Sequence, residues 1–263
     1  MNSPADQPIS ALRSGHDELA ALVAGLGPDD LTGPSAASDW DISQVLGHLG
    51  SGAEISLAAL DAALAGTGKL PADFNKGVWA RWDGMTAAER GAAFPGANRA
   101  LVERYESLDA DARNTLRIDL GFLPQPVDVA TAAGLRLNEF GYHSWDVRVV
   151  YDPTATIAAE ARPSMLDLIG NLFGWIARPA ELGDRAAHLA VHVTEPARSF
   201  GLRLADSASI TDVPADPDGV LRAPADAWLR LAGGRLAPHR PAPGITVEGP
   251  VSLEDLRRVF PGF

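Results

Sequence analysis

The side chains best placed to do chemistry are histidines and carboxylates set at helical spacing. Glu139 and His143 lie four residues apart in Leu135-Arg-Leu-Asn-Glu-Phe-Gly-Tyr-His-Ser-Trp-Asp146. Four residues is about one helical turn, so both side chains leave the same face, and Asp146 lies near it. A carboxylate and an imidazole so arranged can share one metal ion, with Asp146 orienting His143 from behind. The same spacing equally describes a surface Glu–His pair or a buried, hydrogen-bonded histidine. His48 stands in Ser43-Gln-Val-Leu-Gly-His-Leu49, where Leu46 and Leu49 mark a core-facing stripe. One histidine there is ordinarily a hydrogen-bonded core residue. In an antiparallel bundle, however, ligands converge from facing helices. His48, Glu139 and His143 would then make a two-His, one-carboxylate site with a vacant position. Three protein ligands and an open place describe a catalytic divalent metal, most often zinc, although such donors also accept nickel, iron or manganese.

His188 and His192 receive the opposite reading. Leu189, Val191 and Val193 alternate between them, which predicts a strand and puts the two imidazoles about 13 Å apart on one sheet face. That is too far for one ion. His16 and His239 have no partner context and are expected at the surface.

These residues need elements to hold them. Apolar positions from Ile9 to Leu26 predict a first helix, closed by Gly27-Pro28. Asp41-Ile-Ser-Gln44 has the form of a capping box and opens a helix to about Leu64. A third helical stretch is expected over 74–109, interrupted near Phe94-Pro95-Gly96, a fourth over 126–150, and a fifth over 163–176. After about Gly183 the pattern becomes strands at 187–194 and 200–204, a turn over 212–219, a short helix over 223–232, a strand over 245–247 and a final helix over 253–260. Helices followed by mixed strands and helices predict two domains, 1–182 and 183–263.

Composition narrows the chemistry. The chain has 263 residues and no cysteine, which excludes disulfides, thiolate metal sites, iron–sulfur clusters and a cysteine nucleophile. A net charge of −12 speaks against a nucleic-acid partner. The segment Met1–Ser10 has neither a basic nor an apolar signal region, and no run reaches the roughly 20 apolar residues of a membrane span. A cytoplasmic location and no membrane partner are expected. Of the 22 basic residues only Lys69 and Lys76 are lysines. This bias fits a GC-rich genome and also suits bidentate carboxylate recognition by arginine.

The segment Ser38-Asp-Trp-Asp-Ile-Ser-Gln-Val-Leu-Gly-His-Leu49 resembles the first motif of the DinB-like, mycothiol-dependent maleylpyruvate isomerase family. Asn138-Glu-Phe-Gly-Tyr-His-Ser-Trp-Asp-Val147 resembles the second. The resemblance implies a DinB-like antiparallel four-helix bundle that binds metal, over residues 1–182. It also implies a small sterol-carrier-like α/β domain over residues 183–263. Its metal ligands carry over onto His48, Glu139 and His143. Because the chain has no thiol, a sulfur nucleophile must come from outside, and the family implies mycothiol, the low-molecular-weight thiol of actinobacteria. The implied reaction is thiolate addition to a cis alkene such as that of maleylpyruvate, bond rotation, and thiol expulsion to the trans isomer. S-transfer to an electrophilic small molecule is a variant of the same chemistry. The segment Ala227-Trp-Leu-Arg-Leu-Ala-Gly-Gly-Arg235 resembles the family's carboxy-terminal segment. Arg235 is accordingly expected as a substrate or thiol contact reaching the cleft between domains, with Arg222, Arg230 and Arg81 as alternates, each equally readable as a solvated surface arginine. Two competing functions stay open: a non-catalytic DinB-like protein that binds metal and ligand, and metal-assisted hydrolysis with Asp146 as the one free base.

Overall fold

The computed structural model describes residues 3–262; Met1 and Asn2, where the expected leaderless segment begins, and Phe263 lie outside the described residues. The first helices are α1 (Asp6–Val23), a single turn α2 (Pro28–Leu31), and α3 (Ile42–Leu64). The capping box forms as expected: Asp41 Oδ1 accepts from the Gln44 amide at 2.7 Å and Gln44 Oε1 accepts from the Asp41 amide at 2.8 Å.

The third stretch differs from expectation. It divides into α4 (Phe74–Asp83) and α5 (Ala87–Glu106), and the break falls at residues 84–86 rather than at Pro95. Thr86 restarts the helix by accepting from the Glu89 amide. Pro95 stays inside α5 because Phe94, Asn98 and Leu101 on either side are fully buried. Their packing outweighs the roughly 3 kcal/mol that an interior proline costs.

The chain continues through α6 (Ala110–Thr115), a two-stranded ribbon of β1 (Arg117–Ile118) and β2 (Val127–Asp128), and α7 (Val129–Tyr151). The long helices pack α1 on α5, α5 on α3, α3 on α7 and α7 on α1, closing a ring.

Then follow α8 (Arg162–Ile176), β3 (Ala187–Thr194), β4 (Arg198–Leu204), β5 (Ala208–Thr211), β6 (Gly219–Pro224), α9 (Ala225–Ala232), β7 (Thr246–Glu248) and α10 (Leu253–Val259). The five strands lie in the order β5-β4-β3-β6-β7, with β3 and β6 parallel and the other pairs antiparallel. Trp228 of α9 packs against Phe173, Phe200 and Phe260 to form the core of this part.

The chain is thus a mixed helical and sheet protein in two compact units, 1–155 and 156–263. The five-stranded sheet begins at Ala187, shortly after the expected domain change at residue 182. The division by contacts comes earlier because α8 packs on α9 and β5. Among the described residues no helix is long and apolar enough to cross a membrane.

Candidate metal centre

The candidate ligands meet within the first unit. Asp41 starts α3 and thereby phases His48 in its second turn. Asp128 caps α7 by accepting from the Thr131 amide at 2.7 Å and so sets Glu139 and His143. His48 Nε2 stands 3.2 Å from Glu139 Oε2, and His143 Nε2 stands 3.8 Å from the same oxygen. All three residues offer ligand atoms within 4.8 Å of one another. Donors sharing a tetrahedral ion at the usual bond lengths lie about 3.3 Å apart. The spacing and the donor types therefore fit a divalent metal.

The surroundings fix the imidazoles. His143 Nδ1 lies 2.9 Å from Asp146 Oδ2, and His143 and Asp146 are 4% and 0% exposed. A carboxylate accepts, so His143 Nδ1 carries the proton and its Nε2 lone pair faces Glu139. Trp40 packs on both rings, with centroids 5.1 Å from His48 and 5.7 Å from His143. Burial pushes the Glu139 carboxyl upward. The His48 hydrogen bond and the neighbouring His143, His48 and Arg136 side chains more than offset this, leaving it below the ordinary carboxylate value.

Beside this cluster, still within the first unit, lies a cavity of about 470 Å³. His48 and Glu139 line one part of it. Ile55, Ala59, Leu135 and Trp79 supply apolar wall, and Arg136, Lys69, Asn75 and Asp119 supply polar groups. Sequence reasoning passed over Arg136. The signal was present, because residues 136, 139 and 143 share one helical face.

The remaining candidates fall elsewhere. Arg235 belongs to the second unit, where it is 7% exposed and donates from Nη1 to the Gly233 carbonyl at 2.7 Å. Arg230 is equally buried, 3.5 Å from Asp226, and donates to the Arg240 carbonyl at 2.6 Å. Neither is a solvated surface arginine. Arg222 is exposed on β6, and Arg81 pairs with Glu54 at the surface. His188 and His192 lie on β3, hydrogen-bonded to Thr211 and Ser199. His239 is exposed, whereas His16, expected at the surface, is 4% exposed and bonded to Asn98. The α1 face that carries His16 is the face packed on α5 and α7.

Comparisons with known proteins bear on the family and the fold. A family model described as the mycothiol maleylpyruvate isomerase N-terminal domain matches residues 12–148, just over half of the chain. Two uncharacterized proteins of Mycobacterium tuberculosis, from strains CDC 1551 / Oshkosh and ATCC 25618 / H37Rv, are each 26% identical over 184 residues. Each alignment covers 65% of this chain and 85% of the relative. A crystal structure of the mycothiol-dependent maleylpyruvate isomerase superposes with a TM-score of 0.64 at 13% identity. It covers 95% of this chain and 98% of that one. A histidine-to-alanine mutant of that enzyme superposes with a TM-score of 0.63 at 12% identity and the same coverage. At such identity the two superpositions speak for the fold.

Proposed function

Because this chain belongs to the mycothiol maleylpyruvate isomerase family, we propose that it is a metal-dependent enzyme that uses a low-molecular-weight thiol, mycothiol, as nucleophile. The reaction is cis–trans isomerisation of an unsaturated dicarboxylate of the maleylpyruvate kind, or S-transfer to a related electrophile. A soluble, cytoplasmic protein belongs to the same reading, as do a DinB-like four-helix bundle and a sterol-carrier-like second domain. The convergence of His48, Glu139 and His143 on one point is the observation that carries it. These residues would hold the ion, most often zinc in a two-His, one-carboxylate set. When bound, the metal supplies Lewis acidity and favours the deprotonated form of an incoming thiol.

The chain's own residues account for the rest. Asp146 keeps the proton on His143 Nδ1, so that the Nε2 lone pair stays turned inward. Trp40 covers one side of both imidazoles and limits water there. The adjoining cavity gives an organic substrate room next to Glu139 and His48. The chain has no cysteine, so no internal thiol competes for the site. Arg235 remains in this proposal as a substrate or thiol contact. Arg235→Lys should raise KM for the electrophile and leave metal content unchanged, and an unaltered KM removes Arg235 from the proposal.

The test is metal analysis together with turnover. Native mass spectrometry of protein purified from its own host should find one divalent metal per chain. Mycothiol with maleylpyruvate should give the trans product, read by its ultraviolet absorbance. His143→Ala should lose both. Full metal content in that variant would overturn the ligand assignment. A metal-loaded protein that binds the thiol but never consumes an electrophile would favour the non-catalytic alternative.

A further inference from the structure

Arg136 occupies an unusual electrostatic position for a buried side chain. It is 6% exposed, on the α7 face that carries Glu139 and His143, and it lines the cavity beside them. Its Nη2 is committed, donating to the Leu49 carbonyl at 2.7 Å and to Asn98 Oδ1 at 2.9 Å. Its Nε–H is buried without a partner, and Nη1 has no hydrogen bond to any described residue. Among the described residues no carboxylate comes within ion-pair distance of the guanidinium. A cation removed from water ordinarily has a paired anion, because desolvation otherwise goes uncompensated.

The local sequence makes room for that open nitrogen. A Cβ on Gly52 would stand 2.9 Å from Arg136 Nη1, and Gly52 itself lines the cavity. Any larger residue there would displace the guanidinium. The cavity it lines carries apolar wall from Ile55, Leu135 and the half-exposed Trp79 ring, with Lys69, Asn75 and Asp119 as its other polar groups. A buried cation with unused donors, a planar ring and aliphatic walls fit a carboxylate joined to a flat, unsaturated body.

We propose that Arg136 is the specificity-determining anchor for the substrate's carboxylate, and that the first unit's cavity binds an unsaturated or aromatic carboxylate through it. The assignment deepens the function proposed above and rests on that reading in one respect. A metal would engage the Glu139 charge, leaving the ligand to supply the anion that Arg136 lacks. The side chain touches neither the metal ligands by hydrogen bond nor the alkene by requirement. Its contribution is to orient one end of the substrate so that the unsaturated bond lies towards His48 and Glu139.

Isothermal titration of the full-length, metal-loaded protein with cinnamate and with its neutral analogue cinnamamide tests this. Cinnamate should bind about tenfold or more tightly than the amide, as a charge-assisted hydrogen bond to a buried arginine predicts. Arg136→Gln should abolish the preference by weakening cinnamate alone, and Arg136→Lys should restore part of it. Ser56→Trp, which fills the cavity from α3 while leaving Arg136 in place, should block both ligands, and it keeps the proposal testable if Arg136→Gln fails to fold. Equal binding of acid and amide, no binding of cinnamate, or a preference that survives Arg136→Gln would each overturn the assignment. A preference that survives Arg136→Gln and disappears in His143→Ala would place the carboxylate on the metal instead. Metal content separates the two levels of the argument. A chain without metal that still prefers cinnamate through Arg136 overturns the metal reading and keeps the anion site, whereas a metal-loaded chain with no preference does the reverse.

Discussion

His143 and His16 are both 4% exposed, yet their hydrogen bonds give them opposite roles. His143 is held by Asp146, so Asp146→Asn should keep the fold and lower metal affinity about 10–100-fold, as loss of an outer carboxylate does. Metal titration with circular dichroism on the same sample checks this. His16 is held neutral by a relay. Arg136 donates to Asn98 Oδ1, which leaves Asn98 Nδ2 to donate to His16 Nδ1 at 3.1 Å. Burial is the main cause of the lowered His16 pKa; Arg13 and Arg99 add to it, while Asp17 and Glu103 oppose. The folded protein therefore binds this proton less readily than the unfolded chain does. Stability from His16 is complete above the ordinary value of 6.5 and is lost as pH falls below it. His16→Gln, whose amide oxygen can accept from Asn98, should flatten the urea-stability profile below that pH. An unchanged slope would show that His16 does not carry it.

At the scale of elements, α3 matters most, because it carries His48 and packs on α4, α5 and α7. Its Asp41 cap contributes about 1 kcal/mol, so Asp41→Ala should lower the unfolding free energy measured in urea by that amount and loosen the turn that positions His48. Gly50 faces the Trp82 ring, and a Cβ there would come within 2.2 Å of it. Gly50→Ala should therefore destabilise by about 1–3 kcal/mol through overpacking, despite alanine's better helix propensity. A stabilised variant would mean that Trp82 yields easily. The capping box was legible in sequence because it is a local pattern, whereas Trp82 against Gly50 joins residues far apart in the chain. The same distinction explains Pro95. Proline suggested a break by its local chemistry, but burial of its neighbours against other helices decided otherwise.

Across the whole molecule, the two units differ in their response to acid. In the second unit Asp255 accepts from Arg185 Nη1 and Nη2 at 3.1 and 2.6 Å, and also from Ser252 and Arg258. The Arg185 bonds, followed by those from Ser252, hold its carboxyl far below the ordinary 3.8. A lowered acid contributes stability above that ordinary value and loses it as pH falls through the folded one. Acidification should therefore raise hydrogen exchange, corrected for its intrinsic pH dependence, first around His16 in α1 and α5. Exchange around α10 should rise only below about pH 4. Simultaneous loss in both units would contradict this order.

The sequence by itself determined the helical first part, the strand that separates His188 from His192, the α3 cap, and the ligand types at one turn's spacing. These depend on local periodicity and on side chains within a few residues of each other. It also carried the family likeness, through two short motifs around His48 and around Glu139 and His143. Tertiary structure decided that His48 on α3 meets the α7 pair, and that His16 is buried. It also decided that α8 packs with the second unit and that Arg136 lines a cavity beside the candidate ligands. Those facts arise from packing between helices distant in sequence. Spacing along one helix fixes which face a side chain leaves, and only the neighbouring helices fix what that face meets.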